Sequence, residues 1–306
     1  MASLKDLQNR IKSVKNTQKI TKAMQMVAAA KLRKAQEAAE RSRPYSDRIG
    51  GVIVNLSASM AGNEGAPKLL VGNGNDQTHL LVVATADRGL CGGFNTNIVR
   101  KTREEITALE KSGKTVKIFC IGKKGFEQLD RLYGDKIIEM VSLKEHKTIT
   151  AAIASELGGK ITSMFEVGDF DVCHLIYSQF ENVMTQTPTV KTMIPAVGVI
   201  GKYAGKAGEH ASDDVFAPDL KGAAYEYEPD EEGILAVLLP RNINTQIFSA
   251  LLENSAGEMG SKMAAMDNAT RSAGDMIDKL TLTFNRSRQA QITSELIEII
   301  SGAEAL

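Results

Sequence analysis

The chain has 306 residues, which corresponds to one large or two small domains. Hydrophobic residues make up 43% and charged residues 24%, so the composition is globular and excludes a disordered chain. Basic and acidic residues number 37 each, so the net charge argues neither for nor against nucleic acid. The charge is unevenly placed, however, because residues 1–43 carry an excess of eight basic residues and residues 209–232 an equal acidic excess. This separation suggests oriented docking to partners.

The cellular compartment follows from the cysteines and the hydropathy pattern. Three cysteines without CxxC spacing fit a reducing compartment and argue against a disulfide scaffold. No run approaches the 18 apolar residues that a membrane span requires, and the N-terminus has no apolar signal core. The basic, amphipathic N-terminus could mimic a transit peptide, but Asp6 comes early and the helical pattern runs past residue 40 without a break.

Residues 3–57 predict one long helix. Ser3 and Asp6 have the spacing of a capping box. The apolar positions follow a heptad rhythm, shift near Thr17 and then resume, and they are Leu4, Leu7, Ile11, Val14, Ile20, Met24, Val27 and Leu32. Pro44 is expected to bend or interrupt this helix. The glycine-rich residues 58–77 are predicted to be a linker.

The middle of the chain changes period. Residues 78–86, 115–122, 136–141 and 170–180 are β-branched and strand-like, and helical patterns such as 95–113 separate them. This alternation predicts a largely parallel, Rossmann-like α/β domain over residues 78–232, with 187–197 as an edge strand because of its prolines. Residues 201–232 are glycine-rich and acidic, and we expect them to form a surface segment.

Residues 233–306 predict a second long helix, because no proline occurs from 241 to 302 and apolar residues recur at helical spacing. The two terminal helices can bury their apolar stripes by pairing as an antiparallel coiled coil, with the α/β domain inserted between them. The longer C-terminal helix then leaves an apolar end that another protein must cover. This predicted apolar tip comprises Ile292, Leu296, Ile297, Ile299, Ile300 and Leu306.

A search for catalytic chemistry finds little. The segment 112–115 (SGKT) resembles the end of a P-loop, but Ala108 replaces the required glycine and the segment follows a helix instead of a strand. The segment 87–97 (DRGLCGGFNTN) follows a strand and could bind a phosphate, or be a turn that needs Gly89, Gly92 and Gly93 for its backbone angles. The four histidines are not expected to cluster with each other or with the cysteines, and metal-ligand spacing is absent. We therefore expect no cofactor, no metal and no catalytic activity.

A basic stripe on the first helix is the clearest surface feature. Lys12, Lys15, Lys19 and Lys22 share one helical face. Such a stripe is usually a solvated face, and the sharper interpretation is contact with acidic loops of a protein partner. Nucleic acid is disfavoured because no stacking aromatic residues interleave with the lysines.

Four segments resemble the gamma subunit family of F-type ATP synthases, and they are 16–36, 42–45, 87–97 and 285–306. A fifth segment, 225–230 (YEYEPD), resembles the part of the family at the foot of the shaft. The resemblance implies a central-stalk rotor without catalytic activity of its own. Its partners would be three alpha and three beta subunits, the epsilon subunit and a ring of c subunits, with no nucleic acid and membrane contact through the c-ring only. It implies a peripheral position on the cytoplasmic face of the bacterial inner membrane.

The resemblance also implies roles for individual residues. Those expected to meet the alpha and beta subunits are Arg288, Gln289, Thr293, Glu295, Arg88, Cys91, Lys19, Lys22 and Met24. The tip residues Ile297, Ile299, Ile300 and Leu306 would turn inside a hydrophobic sleeve, and Tyr225, Glu226 and Tyr227 would face the c-ring and epsilon. Two alternatives remain open from the residues alone: a nucleotide-binding α/β enzyme with a helical oligomerisation hairpin, and a basic coiled-coil adaptor on nucleic acid.

Overall fold

The computed structural model describes residues 3–59, 66–146, 148–196 and 231–304. The described chain divides into two compact units. One consists of the described parts of residues 1–30 and 262–306, and the other lies within residues 31–261. The segment boundaries 1–57, 58–77, 78–232 and 233–306 stay a prediction, and the acidic segment 201–232 lies almost wholly outside the described residues.

Helix α1 spans Leu4–Ser59 and begins with the predicted capping box. The Ser3 amide donates to Asp6 Oδ2 at 3.2 Å, and the Asp6 amide donates to Ser3 Oγ at 3.2 Å. Two otherwise unpaired amides are satisfied in this way. Pro44 lies inside the helix without ending it, so of the two expected effects, a bend or an interruption, the interruption does not occur. A proline removes only one helical hydrogen bond, and tertiary context can override its local cost.

In the first unit, α1 pairs antiparallel with the last part of α6, the long helix Glu231–Glu304. Gln25 Nε2 donates to Asp267 Oδ1 at 2.9 Å, and the hydroxyls of Thr21 and Thr270 lie 2.7 Å apart. As the residue number increases along α1, the number of its partner on α6 decreases, so the two helices run antiparallel. This confirms the predicted antiparallel arrangement of the terminal helices.

The seam on α1 differs from the predicted stripe. The heptad does not shift near Thr17 but continues through polar positions, since its inward residues are Leu7, Ile11, Val14, Gln18, Thr21, Gln25 and Ala28. Ile20 and Val27 were predicted to face the partner helix, yet they are 60% and 56% exposed. Hydrogen bonds to α6 compensate the polar seam, which leaves these apolar side chains on the outside.

The second unit contains a five-stranded sheet with flanking helices. Its elements in chain order are α2 (Lys68–Val71), β1 (Thr78–Ala84), α3 (Phe94–Lys111), β2 (Thr115–Ile121), α4 (Lys123–Tyr133), a 3-10 turn (Gly134–Lys136), β3 (Ile137–Val141), α5 (Ala151–Val167), β4 (Val172–Phe180) and β5 (Gln186–Ile194). The short helix α2 lies within the predicted linker. All four predicted strands and the edge strand are present.

The strand order is β3-β2-β1-β4-β5, with the first four strands parallel and β5 antiparallel to β4. The position of β5 at an edge suits Pro188, which has no amide to donate to a further strand. Because consecutive parallel strands are joined through helices and the order turns at β1, the sheet is Rossmann-like. The predicted fold class is confirmed.

Alternate residues of β1 face two separate cores, as the two-residue period of a strand requires. Leu81 and Val83 pack in a cluster with residues of α3 and α4, while Leu80 and Val82 pack in a cluster with residues of α5 and α6. All four are at most 1% exposed. The first part of α6 is therefore a structural layer of the α/β domain.

Candidate partner-binding surfaces

The glycine-rich segment 87–93 forms the turn between β1 and α3. Asp87 accepts hydrogen bonds from the Lys123 amide at 3.0 Å, the Ser142 hydroxyl at 2.9 Å and the Leu143 amide at 2.9 Å. These donors follow β2 and β3, so one carboxylate joins the carboxyl ends of three neighbouring strands. The first residue of the turn is thereby anchored to the sheet.

The side chains after Asp87 point in different directions. Arg88 and Leu90 are exposed, and Leu90 is 64% accessible. Cys91 is only 2% exposed, and Asn95 Nδ2 donates to its Sγ at 3.3 Å. Of the two residues predicted here as partner contacts, Arg88 thus lies on the surface while Cys91 packs inside the turn. Leu90, which the sequence analysis did not single out, presents the apolar surface instead.

The backbone angles of this turn also differ from expectation. Gly92 has a φ of 57°, but Gly93 has −82° and Gly89 is not left-handed either. The second left-handed residue is Leu90, with a φ of 64°. That conformation costs a residue with a Cβ about 1–2 kcal/mol. Strain of this kind at an exposed position is typical of functional sites.

Helix α6 covers the place where a sheet of this order usually binds ligands, between the carboxyl ends of β1 and β4. A Cβ on Gly257 would lie 2.9 Å from Phe94 Cε2 at the start of α3. A Cβ on Gly260 would lie 3.4 Å from the carbonyl oxygen of Val183, which follows β4. The two glycines let the helix approach this closely. This edge of the sheet thus serves to hold the helix.

Two histidines that appear unrelated in the sequence are in contact. His79 and His174 stack with ring centroids 5.3 Å apart, and Nδ1 of His79 lies 3.1 Å from Nε2 of His174. The expectation that the histidines do not cluster is therefore wrong for this pair, because β1 and β4 are neighbouring strands. Asp76 Oδ1 lies 2.8 Å from Nε2 of His79. The hydrogen bond from the Lys114 ammonium holds the pKa of Asp76 below its usual value. Within the described residues, no three His, Cys, Asp or Glu side chains are arranged so that they could hold a metal ion.

The outer face of α1 in the first unit combines charge with apolar surface. Lys12, Lys15, Lys19 and Lys22 are all exposed, as predicted for the basic stripe. Met24 is half-buried, while Met26 is 60% exposed. Exposed apolar side chains of this kind mark protein-binding surfaces, whereas the lysines alone would fit a solvated face.

The end of α6 is exposed on all sides. Every residue from Arg288 to Ser301 is exposed, including the predicted contact residues Gln289, Thr293 and Glu295. Local bonds hold some of them on the helix, since Gln291 Nε2 donates to Glu295 Oε1 at 2.9 Å. The exposed fraction is 50–69% for the apolar tip residues Ile292, Leu296, Ile297, Ile299 and Ile300. Leu306 lies outside the described residues.

The chain matches the family described as ATP synthase over residues 3–306. It is 61% identical to the ATP synthase gamma chain of Maricaulis maris and 58% identical to that of Rhizobium etli, in each case over 306 residues and the whole of both chains. The chain belongs to the ATP synthase gamma chain family. The family resemblance in its terminal helices and its glycine turn is thereby confirmed.

Solved structures similar to this chain support the fold. A chain of the Euglena gracilis mitochondrial ATP synthase, solved with OSCP, F1 and c-ring, superimposes with a TM-score of 0.65 at 17% identity and covers 99% of this chain and 94% of its own. A chain of the Tetrahymena thermophila central stalk and c-ring gives 0.60 at 24% identity and covers 82% and 99%. In the described gamma-family chain, no helix is both long and apolar enough to cross a membrane. Tyr225, Glu226 and Tyr227 lie outside the described residues.

Proposed function

We propose that this chain is the central rotor of a proton-translocating ATP synthase. Its paired helices act as the shaft inside a ring of three alpha and three beta subunits, and its α/β domain receives torque from the c-ring together with epsilon. The observation that carries the proposal is the end of α6, where an apolar helix end is exposed in a chain of the gamma family. The chain itself is not catalytic and couples rotation to synthesis or hydrolysis of ATP in its partners.

The apolar tip needs a sleeve of protein around it. Five large aliphatic side chains, each at least half exposed on one helix end, favour aggregation when uncovered. A ring of partner subunits would bury them without bonding to any one of them. Because hydrophobic attraction has no preferred direction, such a tip can turn while it stays covered.

Torque requires contacts that form and release, and polar groups suit this better than a permanent apolar interface. We assign this role to Arg288 and Gln289 on α6, supported by Thr293 and Glu295. On α1 we assign it to Lys19 and Lys22, with Met24 beside them. All except the half-buried Met24 are exposed, which supports the assignment.

The glycine turn is a second contact with the beta subunits in this proposal. Arg88 offers a charge and Leu90 an exposed apolar group at a strained position. Cys91 acts from inside, because its buried sulfur and Asn95 fix the shape of the turn. Tyr225, Glu226 and Tyr227 are proposed to face the c-ring and epsilon. The c-ring would be the chain's only contact with the membrane. The chain would then lie peripherally on the cytoplasmic face of the bacterial inner membrane.

The enzyme alternative has less support. It needs an accessible ligand site at the carboxyl edge of the sheet, where α6 packs through Gly257 and Gly260. The nucleic-acid alternative needs stacking aromatic residues among the lysines, and none lies beside Lys12 to Lys22 in the sequence.

The test uses the chain purified gently from its native membranes with whatever proteins accompany it. We expect three copies each of alpha and beta subunits per chain, ATPase activity in the complex and none in the chain alone. A chain that purified by itself and bound or turned over a nucleotide would refute the proposal.

The contact at Arg288 is tested separately in membrane vesicles by ATP-driven proton pumping. Arg288→Ala should lower pumping without changing the thermal unfolding of the isolated chain, because the side chain has its partner in another subunit. Arg286→Ala is the matched control, since Arg286 is also exposed on the same helix but is not assigned a contact. Equal pumping by the two variants would contradict the role of Arg288.

A further inference from the structure

One face of α6 attaches the helix to the far end of the β4–β5 hairpin. Five residues share this face at spacings of one, three, three and one, and they are Glu253, Asn254, Gly257, Gly260 and Ser261. We call these five residues the clamp face. All of them lie within the second unit, as does the hairpin.

The clamp face begins with two polar side chains that bind the backbone of β4. Strand β1 pairs with β4 only as far as Ile176, so the β4 amides beyond that residue lose their partner strand on this side. Asn254 Oδ1 accepts from the Ser178 amide at 3.3 Å, and Glu253 Oε2 accepts from the Phe180 amide at 3.3 Å. The helix therefore takes the place of a strand in satisfying the end of β4.

The two glycines of the clamp face interlock with the hairpin. A Cβ on Gly257 would lie 2.9 Å from Phe94 Cε2 and 3.5 Å from Gln186 Cγ. A Cβ on Gly260 would lie 3.5 Å from Gln186 Nε2. Glycine in a helix interior lowers helix stability by about 1 kcal/mol relative to alanine. The close packing explains why glycine nevertheless occupies these two positions.

Gln186 completes the attachment. Its Nε2 donates to the Val183 carbonyl at 2.7 Å, while its Oε1 accepts from Ser261 Oγ at 2.5 Å. One side chain thus joins the hairpin turn to the helix. Burial raises the pKa of Glu253 at the other end of the face, while its bond from Phe180 opposes that shift.

We propose that the clamp face is the joint through which torque passes between the α/β domain and the shaft helix. The inference rests on the proposed rotor function. The apolar core between the sheet and α6, which includes Ile243, Ile247 and Leu251, resists separation but has no preferred direction. Directional hydrogen bonds and interlocked glycines resist sliding and twisting of the helix against the sheet. The clamp residues are positioning residues and touch no nucleotide.

The experiment measures torsional stiffness in the assembled complex of this chain with alpha, beta and epsilon. The hexamer is fixed to a surface, and a bead is attached through Val167→Cys, which lies 81% exposed on the α/β domain. The three natural cysteines are buried and do not compete for the label. The angular spread of the bead during a nucleotide-arrested pause reports the compliance between the bead and the hexamer.

Gly257→Leu and the pair Ser261→Ala with Gln186→Ala are expected to widen the angular spread severalfold. The single Ser261→Ala variant should give part of that increase, and Ser261→Thr, which keeps the hydroxyl, should restore the normal spread. Gly159→Leu is the control, because Gly159 is an exposed helix glycine with open space around its Cβ position.

The outcomes separate the two proposals. If assembled complexes of Gly257→Leu and of Ser261→Ala with Gln186→Ala both showed an unchanged angular spread, the proposal that the clamp face transmits torque would be overturned. If Gly257→Leu does not assemble, the Ser261 and Gln186 variants decide the question. A bead on the otherwise unmodified chain that never turned with ATP would overturn the rotor function instead.

Discussion

Asp171 provides a sharp test of how the α/β domain is held together. It is 8% exposed and lies just before β4. Its Oδ2 accepts from the amides of Gln77 at 2.9 Å and Thr78 at 2.8 Å, and its Oδ1 accepts from Asn73 Nδ2 at 2.7 Å. One carboxylate therefore fastens the segment that enters β1 to the neighbouring strand.

Asp171→Ala removes all three bonds. Bonds to charged groups contribute about 1.5–3 kcal/mol each, but Gln77 is exposed and water can replace part of the loss. At about 1 kcal/mol per bond we expect a loss of about 3 kcal/mol in the free energy of unfolding. For a unit of this size, that corresponds to a fall of about 6–12 °C in Tm. Thermal unfolding of the purified chain, followed by circular dichroism, measures it.

Asp169→Ala is the matched control, because Asp169 lies two residues away and forms only a surface ion pair with Lys117 at 3.7 Å. Exposed pairs contribute at most about 1 kcal/mol, so its Tm should fall by at most about 4 °C. Equal shifts for the two variants would refute the reasoning about Asp171.

The pH dependence of Asp171 gives a second measurement. The Thr78 amide is the main cause that lowers the pKa of this carboxyl below its model-peptide value of 3.8. Because the pKa of Asp171 is lower in the folded chain, its stabilisation is complete above the unfolded pKa and is lost as the pH falls from there through the folded pKa. The stability difference between the unmodified chain and Asp171→Asn should therefore stay constant down to pH ~4 and shrink below it. A difference that shrank already near neutral pH would contradict the assignment.

The remaining predictions concern glycines, the turn and the thiols. Gly122→Ala should abolish folding or lower Tm strongly, because at a φ of 97° the new Cβ would lie 2.2 Å from the Thr85 carbonyl oxygen. Gly113→Ala, at an open position with positive φ, should cost only about 1–2 kcal/mol. Similar Tm values for the two variants would count against this role of Gly122. Leu90→Gly should raise Tm slightly by relieving the left-handed strain yet weaken assembly with the beta subunits, and unchanged assembly would remove Leu90 from the interface. Thiol reagents should label the folded chain slowly and the unfolded chain fully, because all three cysteines are buried and burial raises the pKa of the Cys120 thiol to about 12. Rapid labelling of the native chain would contradict the described packing.

The strands were predictable because their signal is local. Runs rich in β-branched residues stand between glycine-rich turns, and β1 to β4 begin and end within two residues of the predicted bounds, while β5 ends three residues early. The edge position of β5 followed from its prolines, since a central strand needs every amide. The capping box at Ser3 was equally local, because its two residues are three apart.

The errors arose where a contact joins distant parts of the chain. His79 and His174 are 95 residues apart, and only the pairing of β1 with β4 brings their rings together. The seam of α1 was misread because Gln18, Thr21 and Gln25 look like surface residues, and their partners lie on α6. The burial of Cys91 has a different origin, because its contact is local: Asn95, the second residue of α3 and four positions along the chain, donates to its sulfur.

The misread seam explains why this helix pair suits a shaft. If Ile20 and Val27 had faced α6, the pair would have been held by apolar contacts that tolerate sliding. Instead Thr21 meets Thr270 and Gln25 meets Asp267, so a shift of one helical turn would break specific hydrogen bonds. Buried polar groups fix register in helix pairs, at a cost in stability. The same arrangement leaves Ile20 and Val27 exposed on the outer face of α1. In the proposed rotor, this helix pair would hold its own register internally and offer these apolar groups to the surrounding subunits.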